Sequence, residues 1–261
     1  METRVYNPEG SILRKDQMML LDVLNGFADV CKEHDIKWWM CSGTLLGAMR
    51  HGGFIPWDDD VDVAMYKKDY RRFLKVIKKW ESDKFAFQSI QTDPEHTNVW
   101  GVFRYKKLEE PSLSTRGMYG IDVFCIEKSS QFAAHMAKFF YKNMMHPTKY
   151  IKNAGIRQFV KKVVKVINFG FLIPLTRVLG WINPKKQFHY ELGSGFYDQP
   201  FYAENIFPLT QVEFEGIAFP SPGKPDEYLT ALYGDWRKLP SEDQIKEAIH
   251  YDMYKEQIYG E

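Results

Sequence analysis

The sequence predicts an α+β fold in which a mixed sheet is flanked by helices. Two kinds of pattern support this prediction. Short segments alternate apolar with polar residues, as strands do, and longer segments carry apolar residues three or four positions apart, as helices do. The chain has 261 residues, of which 44% are hydrophobic and 16% aromatic. It can therefore bury a sizeable core, either as one large domain or as a core with an insert.

The N-terminal part predicts a helix, a strand, a turn and a second helix. The first helix, over about residues 13–34, has an apolar stripe made of Leu20, Leu24, Phe27 and Cys31. Residues 36–41 (IKWWMC) predict a buried strand, and Ser42-Gly43 predicts a tight turn. Residues 44–50 predict the start of a short helix, whose N-terminal backbone N–H groups would point at an anion.

Four aspartates occupy the five positions 58–62. From Asp60 the sequence alternates as Asp-Val-Asp-Val-Ala-Met, and a strand would place Asp60 and Asp62 on one face. These carboxylates would repel at low dielectric unless a hard divalent cation neutralised them, and magnesium is the natural candidate. A solvated acidic loop is the simpler alternative, and the flanking apolar alternation argues against it.

The next segments predict one more helix and three strands. The helix after the aspartates has an apolar stripe made of Tyr70, Phe73, Leu74 and Ile77. Strands are predicted near residues 85–90, 100–105 and 120–126. The third of these contains Asp122 among apolar residues, where an unpaired charge is costly.

The order of strand, small-residue turn, helix and Asp-x-Asp strand is typical of the nucleotidyltransferase fold. The string GTLLGAMRHGGFIPWDDDVDVAM, over residues 43–65, resembles the LicD family closely. A hairpin-like segment at 213–220 and the segment PDEYLTALYGDW at 225–236 resemble the same family. The resemblance implies a nucleotidyltransferase-like mixed sheet flanked by helices, here with a basic helical insert.

The resemblance also implies an activity. Members are expected to transfer phosphocholine, or a related phospho-alcohol, from CDP-choline or another CDP-alcohol to a hydroxyl of a cell-surface glycan, with release of CMP. Lipopolysaccharide, capsule, teichoic acid and lipid-linked glycans are acceptors of this class. Eukaryotic fukutin-type ribitol-phosphate transferases look like distant relatives.

Three carboxylates are expected to carry the catalysis. Asp60, Asp62 and Asp122 would bind one or two Mg²⁺ ions, with Mn²⁺ as a substitute, and would lower the pKa of the acceptor hydroxyl. Glu127, at the end of the same predicted strand, is the rival to Asp122. The structural alternative makes Asp122 a strand-end residue at the surface of the sheet.

The substrate-binding candidates surround the same string. They are Ser42, Gly43, Thr44, Arg50, His51, Trp57, Asp58, Asp59 and Arg104. The first three form the phosphate-binding turn, and the cationic or switchable ones could bind donor phosphates or cap a helix. Arg116 could serve similarly.

The aromatic and acidic candidates have other expected roles. Trp57 could offer its face to a choline trimethylammonium group, an attraction worth roughly 0.5–2 kcal/mol, or could pack in the core. Trp38 and Trp39 are expected to be structural. Asp58 and Asp59 are expected to orient the metal ligands or to contact substrate.

The segment 128–190 contains no Asp or Glu although the net charge of the whole chain is only +1. Apolar residues at helical spacing around 159–167 alternate with lysines, which predicts a basic amphipathic helix. Residues 157–186 could therefore contact an anionic membrane surface. The alternative is an ordinary helical subdomain with solvated lysines. The uncharged run 166–176, which Pro174 and Arg177 interrupt, is expected to be too short to cross a bilayer.

These patterns suggest three parts and a location. A catalytic core at 1–127 would be followed by the basic helical insert at 128–190 and by a C-terminal hairpin and helix, at 191–261, that complete the core. Cys31, Cys41 and Cys125 are expected to be reduced core residues. The polar N-terminus predicts a cytoplasmic protein, with peripheral contact at the inner membrane face. No nucleic-acid motif accompanies the basic segment, so no nucleic acid partner is expected.

Two other functions are also compatible with these sequence patterns. A GT-A glycosyltransferase also uses an Asp-x-Asp metal site with a nucleotide-sugar donor, although its motif normally follows a longer nucleotide-binding half than the 59 residues that precede Asp60 here. A non-catalytic, membrane-associated binding protein with a structural acidic cluster is the second alternative.

Overall fold

A central sheet is the core of the structure, a computed structural model that describes residues 5–89, 96, 99–106, 119–180, 186–193 and 200–260. The strands are β1 (Trp39–Met40), β2 (Asp62–Tyr66), β3 (Phe85–Gln88), β4 (Gly101–Tyr105), β5 (Gly120–Ser130), β6 (Lys186–Tyr190), β7 (Thr210–Phe214) and β8 (Ile217–Ser221). The first six form one mixed sheet, and β7 and β8 form a separate antiparallel hairpin. The predicted α+β class is confirmed.

The helices flank this sheet. They are α1 (Ile12–Glu33), α2 (Ser42–His51), α3 (Lys67–Ile77), α4 (Gln131–Phe140), α5 (Ala154–Ile167), α6 (Ile173–Gly180), α7 (Ala203–Ile206), α8 (Pro225–Tyr233), α9 (Glu242–Ala248) and α10 (Asp252–Tyr259). Short π-helical turns at Tyr141–Met145 and Asn168–Leu172, and a 3₁₀ turn at His146–Tyr150, lie between some of them.

The long strand β5 organises the sheet. It runs parallel to β2 on one side and antiparallel to β4 on the other, and the strand order is β1-β2-β5-β4-β3. The far half of β5 pairs with β6, where Ile126 lies opposite Tyr190 and Ser130 opposite Lys186. In the parallel pair Asp62 lies opposite Asp122. This register brings two of the predicted catalytic residues together from positions far apart in the sequence.

Helix α1 covers one face of the sheet. Its N-terminus is capped by the Ser11 hydroxyl, which accepts a hydrogen bond of 3.1 Å from the Arg14 N–H. The buried face of α1 includes Leu24 and Phe27, and the Phe27 ring packs against Phe73 and Phe103 of the core. The helix lies within one residue of its predicted bounds because its apolar stripe is long and regular.

Several predicted bounds shift around the aspartates. Helix α2 begins at Ser42, so the predicted turn is the first turn of the helix, and β1 is only two residues long. Strand β2 begins at Asp62, because residues 58–61 form an irregular loop in place of the predicted alternation from Asp60. The predicted strand at 85–90 is β3, and its last predicted residue, Ile90, lies outside the described residues.

The segment after β5 is helical, as predicted. Helix α4 packs through Ala133, Ala134 and Ala137 against Ile173 of α6. Strand β6 then returns to the central sheet beside β5. The division of the chain at residues 127 and 190 stays a prediction.

One helix is longer than the sequence suggested. Ala154–Gly180 is a continuous helical segment of 27 residues that includes α5, a π-helical turn and α6, and by length and composition it could cross a membrane. The uncharged run 166–176 is therefore part of a longer helix that continues through Pro174 and Arg177, so the expectation of a segment too short to cross a bilayer does not hold for this helix. Proline has no N–H to donate, and Pro174 is the second residue of α6, separated by one residue from the π-helical turn, where the backbone hydrogen bonds are already shifted.

The three cysteines are free and buried, as predicted. Burial raises the pKa of the Cys31 thiol, and it also raises the pKa values of Cys41 and Cys125. These thiols are therefore protonated packing residues in the core.

Candidate active site

The N-terminus of α2 lies directly beside the first residue of β2. The Cys41 N–H donates to the Asp62 carbonyl at 3.1 Å, and the Asp62 N–H donates to the Thr44 hydroxyl at 2.7 Å. Ser42 has a φ of 49°, which is uncommon for a residue other than glycine, and its hydroxyl lies 3.0 Å from the hydroxyl of Tyr190. These contacts fix the helix N-terminus against the aspartate strand.

The aspartate loop is held from the side of α1. The side-chain amide of Gln17 donates to the backbone carbonyl of Asp58 at 2.8 Å, and the Asp58 N–H donates to the Ile55 carbonyl at 2.9 Å. Gln17 is fully buried. Because the loop lacks strand pairing, these hydrogen bonds set the direction in which Asp58 and its neighbours point.

The carboxylates form a cluster with strong mutual repulsion. Burial, followed by the charges of Asp60 and Asp59, raises the pKa of Asp58 well above its ordinary value. Burial likewise raises the pKa of Asp62, and the carboxylates of Asp60 and Asp122 raise it further. Each of these groups is charged only at a free-energy cost, which a cation placed between them would remove.

A histidine from the C-terminal region completes the cluster. His250 Nδ1 lies 2.6 Å from an Asp59 carboxylate oxygen, and this hydrogen bond, against the opposing effect of burial, raises the pKa of His250 to about 9. In this state His250 is a cation that balances part of the negative charge. No short motif marks it in the sequence, because it is 191 residues from Asp59.

The described residues contain one group that could hold a metal ion at short range. Ligand atoms of Asp58, Asp60 and His250 all lie within 4.8 Å of one another. This group shares Asp60 with the predicted set of Asp60, Asp62 and Asp122. The difference arises because the irregular loop at 58–61 turns Asp58 toward Asp60, which strand alternation could not predict. A His250 ligand would have to lose its proton first.

A cavity of about 700 Å³ opens beside the carboxylates. Ser42, Gly43, Asp58, Asp60 and Asp62 line one side of it. The chain from residue 233 to residue 250 supplies the opposite side through side chains that include Tyr233, Trp236, Lys238 and Gln244. This volume is within the range of sites for nucleotides and other small ligands.

Arg50 and Trp57 lie at the cavity and link its two sides. Arg50 donates from Nε to His51 Nε2 at 2.9 Å and from Nη1 to the Trp236 carbonyl at 3.0 Å, and its guanidinium lies 6.0 Å from the Trp57 ring centre. Burial, together with the Arg50 charge, lowers the pKa of His51 to about 4, so His51 is neutral and accepts this hydrogen bond. Within the described ranges no carboxylate pairs with Arg50, which leaves a cation at the cavity.

A set of hydrogen bonds around Glu215, called here the Glu215 clamp, holds the loop between α2 and the aspartates. Glu215, in the turn between β7 and β8, accepts hydrogen bonds from Arg14 at 2.7 and 3.0 Å and from the Phe54 N–H at 3.1 Å. Its own N–H donates to the Gly52 carbonyl at 2.9 Å. A Cβ atom on Gly53 would lie 2.2 Å from a Glu215 carboxylate oxygen, so a larger residue there would displace the Glu215 side chain from its hydrogen bonds.

The remaining predicted site residues are placed as follows. Thr44 is buried and supports Asp62, and His51 lies behind Arg50. Arg104 donates to Gln88 at 2.8 Å on the β3–β4 edge of the sheet. Arg116 lies outside the described residues.

The alternative candidate Glu127 has a structural role instead. It is 5% exposed, and it forms ion pairs with Lys67 of α3 and with Arg177 of α6 at 2.8 Å. Burial tends to raise the pKa of Glu127, but Arg177, the Leu192 N–H and Lys67 together hold it below its ordinary value. Glu127 therefore ties the helical segment 154–180 to the sheet.

Residues 35–166 match the family described as LicD/FKTN/FKRP, nucleotidyltransferase domain. The match covers half of the chain and includes α2, the aspartate loop, β2 and Asp122. The chain belongs to the LicD family. Its membership supports a phosphotransferase activity, and the LicD fold assignment agrees with the mixed sheet and with the Asp62–Asp122 register.

Individual proteins are also similar to this LicD-family chain. The lipopolysaccharide cholinephosphotransferase LicD of Haemophilus influenzae is 26% identical over 259 aligned positions, which cover 90% of this chain and 94% of that protein. Human ribitol 5-phosphate transferase FKRP is 53% identical over 84 positions, which cover 26% of this chain and 17% of the human protein. An uncharacterised Rickettsia typhi protein, RT0683, is 26% identical over 151 positions, which cover 56% of this chain and 42% of that protein.

Proposed function

We propose that the protein transfers phosphocholine, or a related phospho-alcohol, from a CDP-activated donor to a hydroxyl of a cell-surface glycan. One observation carries the proposal: a cavity sized for a nucleotide lies between a cluster of half-buried carboxylates and the cation Arg50, in a LicD-family chain. The near full-length match to a lipopolysaccharide cholinephosphotransferase makes phosphocholine the first group to test.

The donor diphosphate would bind between the N-terminus of α2 and the guanidinium of Arg50, which belongs to the last turn of the same helix. The first N–H groups of α2 have no partner within the helix, and the helix dipole favours an anion at this end. Gly43 lines the cavity, where the lack of a side chain allows a phosphate to approach the backbone. Arg50 would neutralise phosphate charge from the other side, in an orientation fixed by His51 and the Trp236 carbonyl.

The alcohol part of the donor would lie toward Trp57. The Trp57 ring lines the cavity and is held by an edge-to-face contact with Tyr6, with ring centres 5.1 Å apart. An aromatic face attracts a quaternary ammonium group by about 0.5–2 kcal/mol. This contact would favour choline over an uncharged alcohol such as ribitol or glycerol.

Asp60, Asp62 and Asp122 would hold one or two Mg²⁺ ions, or Mn²⁺ in their place. Oxygen-rich, mutually repelling carboxylates suit a hard divalent cation. Desolvation, and after it the charges of the neighbouring aspartates, raise the pKa values of Asp58 and Asp62, and a bound cation would offset both effects. Bound magnesium would supply charge stabilisation for the phosphoryl oxygens and acidify the acceptor hydroxyl. Asp58 and Asp59 would position this group through Gln17 and His250.

The reaction forms one bond and breaks one. The acceptor oxygen bonds to the phosphorus that carries the alcohol, the bond from that phosphorus to the bridging oxygen breaks, and CMP leaves with that oxygen. The hydroxyl proton passes to a base in the carboxylate cluster. Positioning and electrostatic stabilisation account for most of the rate enhancement in this class of reaction.

A donor panel tests the proposal. The purified protein is incubated with an acceptor glycan, Mg²⁺ and, in separate reactions, CDP-choline, CDP-ethanolamine, CDP-glycerol, CDP-ribitol or a UDP-sugar. Mass spectrometry of the glycan and chromatography of the nucleotide products should show CMP release together with a phospho-alcohol adduct. Release of UDP without CMP would favour the glycosyltransferase alternative and overturn the proposal.

Matched variants separate catalysis from folding. Asp60→Asn and Asp62→Asn should each lower turnover by a hundredfold or more, because removing one principal electrostatic group from an active site typically lowers kcat by about 10²–10³. Asp83→Asn makes the same chemical change at an exposed position before β3 and should retain activity. Unchanged glycan modification by the first two variants would support the non-catalytic alternative.

A further inference from the structure

The helical segment Ala154–Gly180 exposes a continuous row of large apolar side chains. The row, called here the apolar face, consists of Phe159, Val163, Ile167, Phe171, Leu175 and Val178. Its members are three or four residues apart, so they follow one side of the helix through α5, the π-helical turn and α6. Phe159 is 68% exposed and Phe171 is 71% exposed, which is unusual for side chains of this size.

The opposite side of the segment packs on the protein. Asn168, Ile173 and Thr176 are at most 3% exposed. Lys165 donates to the His96 carbonyl at 3.2 Å, and Arg177 pairs with Glu127 of the sheet. The segment is therefore fixed between Lys165 and Arg177, with its apolar face turned outward, and α5 itself has no buried residue.

The charge around this face has one sign. Residues 128–190 contain no Asp or Glu and twelve Lys or Arg, against a net charge of +1 for the whole chain. Lys152 and Lys162 are exposed beside the apolar face, and Lys161 is half-buried next to it. An apolar row bordered by lysines complements a surface that has an anionic outer layer and an apolar interior.

We propose that the apolar face lies in the plane of an anionic phospholipid membrane, with its apolar side chains below the headgroups and the lysines among them. The helix length would also allow it to cross a bilayer, but that would pull Asn168, Ile173 and Thr176 from their packing and break the Arg177–Glu127 pair. A second copy of the chain is a poorer occupant, because a symmetric contact would bring lysines against lysines. This inference does not depend on which alcohol the enzyme transfers.

Vesicle flotation of the full-length protein, without donor or acceptor, tests the proposal. The vesicles contain phosphatidylcholine alone or phosphatidylcholine mixed with phosphatidylglycerol. We expect binding to the mixed vesicles, weak binding to the neutral ones, and release at high salt. Equal binding to both vesicles, no binding to either, or binding that resists both salt and alkaline carbonate would overturn it, the last by indicating a spanning helix.

Two pairs of variants locate the surface. Lys152→Gln with Lys162→Gln should weaken partitioning roughly 25-fold, since each lysine near an anionic surface contributes about fivefold. Phe159→Ser with Phe171→Ser should weaken it roughly a hundredfold, at about tenfold for each buried aromatic side chain. The matched controls are Lys78→Gln with Lys79→Gln at the end of α3, and Ile217→Ser on the hairpin, all of them exposed.

The controls also separate this inference from the proposed activity. All of these positions are exposed, so their Tm values should stay close to that of the parent protein. The surface variants should retain CMP release with a soluble acceptor, because none of the substituted residues lines the cavity. Control variants that lose vesicle binding as strongly as the surface variants, or surface variants that bind normally, would refute the assignment. If the parent protein self-associated and bound no vesicles, and the Phe159→Ser, Phe171→Ser double variant alone were monomeric, the apolar face would be a self-association surface.

Discussion

Replacing Glu215 by alanine should destabilise the protein and loosen the loop between α2 and the aspartates. The change removes three hydrogen bonds, two from Arg14 and one from the Phe54 N–H. Hydrogen bonds to charged groups contribute about 1.5–3 kcal/mol in buried settings, but the two side chains remain 15–21% exposed. With that discount for solvent screening, we expect the free energy of unfolding to fall by about 2 kcal/mol.

Urea denaturation followed by tryptophan fluorescence measures this change. The chain has seven tryptophans, and Trp57 lies in the core close to the affected loop. Arg14→Ala and the double variant complete a thermodynamic cycle, in which we expect a coupling of about 1–2 kcal/mol between the two residues. Glu213→Ala, at an exposed position on the same hairpin, is the matched control and should change stability by less than about 0.5 kcal/mol. A purely additive cycle would refute the clamp.

The same clamp has a defined pH dependence. Burial tends to raise the pKa of Glu215, but the hydrogen bonds from Arg14 and the Phe54 N–H outweigh it and hold the pKa below the ordinary value of 4.5. A carboxyl group with a lowered folded-state pKa stabilises the fold above its unfolded-state pKa, and this stabilisation is lost as the pH falls through the folded-state value. The stability difference between parent and Glu215→Gln should therefore be full at pH 7 and shrink below about pH 4.5. A difference that grows in acid would contradict this assignment.

Three further substitutions probe the site and its support. Asp62→Asn should raise the Tm in EDTA, because it removes a half-buried carboxyl group whose pKa is raised first by desolvation and then by the charges of Asp60 and Asp122. It should also reduce the Tm gain on adding Mg²⁺, and a lower Tm in EDTA would contradict the repulsion. Thr44→Val should cost about 1–3 kcal/mol of unfolding free energy, since it leaves the Asp62 N–H without its partner, whereas Thr44→Ser should restore most of it in urea denaturation. Glu127→Ala should cost about 1–3 kcal/mol, less than a fully buried pair, because Arg177 is 40% exposed and Lys67 and Arg177 keep Glu191 as a second partner. Limited proteolysis should then cut the 131–180 segment faster, and unchanged cleavage would argue against the anchoring role.

Local patterns were sufficient for the elements that carry the aspartates. The apolar stripe of α1, the small-residue start of α2 and the alternation through β2 and β5 are all signals within one element. The placement of Asp122 beside Asp62 came from the family resemblance, and the parallel register of β2 and β5 confirms it. The sequence was therefore sufficient to predict the family and the fold class.

Contacts between distant segments could not be predicted from the sequence. His250 approaches Asp59 across 191 positions, and Tyr190 approaches Ser42 across 148. Neither residue stands in a short motif, and histidine or tyrosine in a C-terminal segment is not by itself a signal. The side of the cavity formed by residues 233–250 was missed for the same reason, because only tertiary packing brings it over α2.

Tertiary contacts also explain why the family string is so long. A Cβ atom on Gly47 would lie 2.5 Å from the Gly53 carbonyl, Gly53 is confined by Glu215, and Arg50 is held by the Trp236 carbonyl. Much of the string therefore satisfies the packing of α2, the loop and the hairpin, while its acidic end supplies the chemistry. The string lines one side of the cavity, and residues 233–250 line the other. Trp57 on the first side would favour a quaternary ammonium group, whereas the rest of that side is constrained by packing and phosphate chemistry. Discrimination among uncharged alcohols therefore has to come largely from the second side, so exchanging residues 233–250 between family members should change the preference between ribitol and glycerol donors more than an activity-preserving substitution at any position of the string other than Trp57.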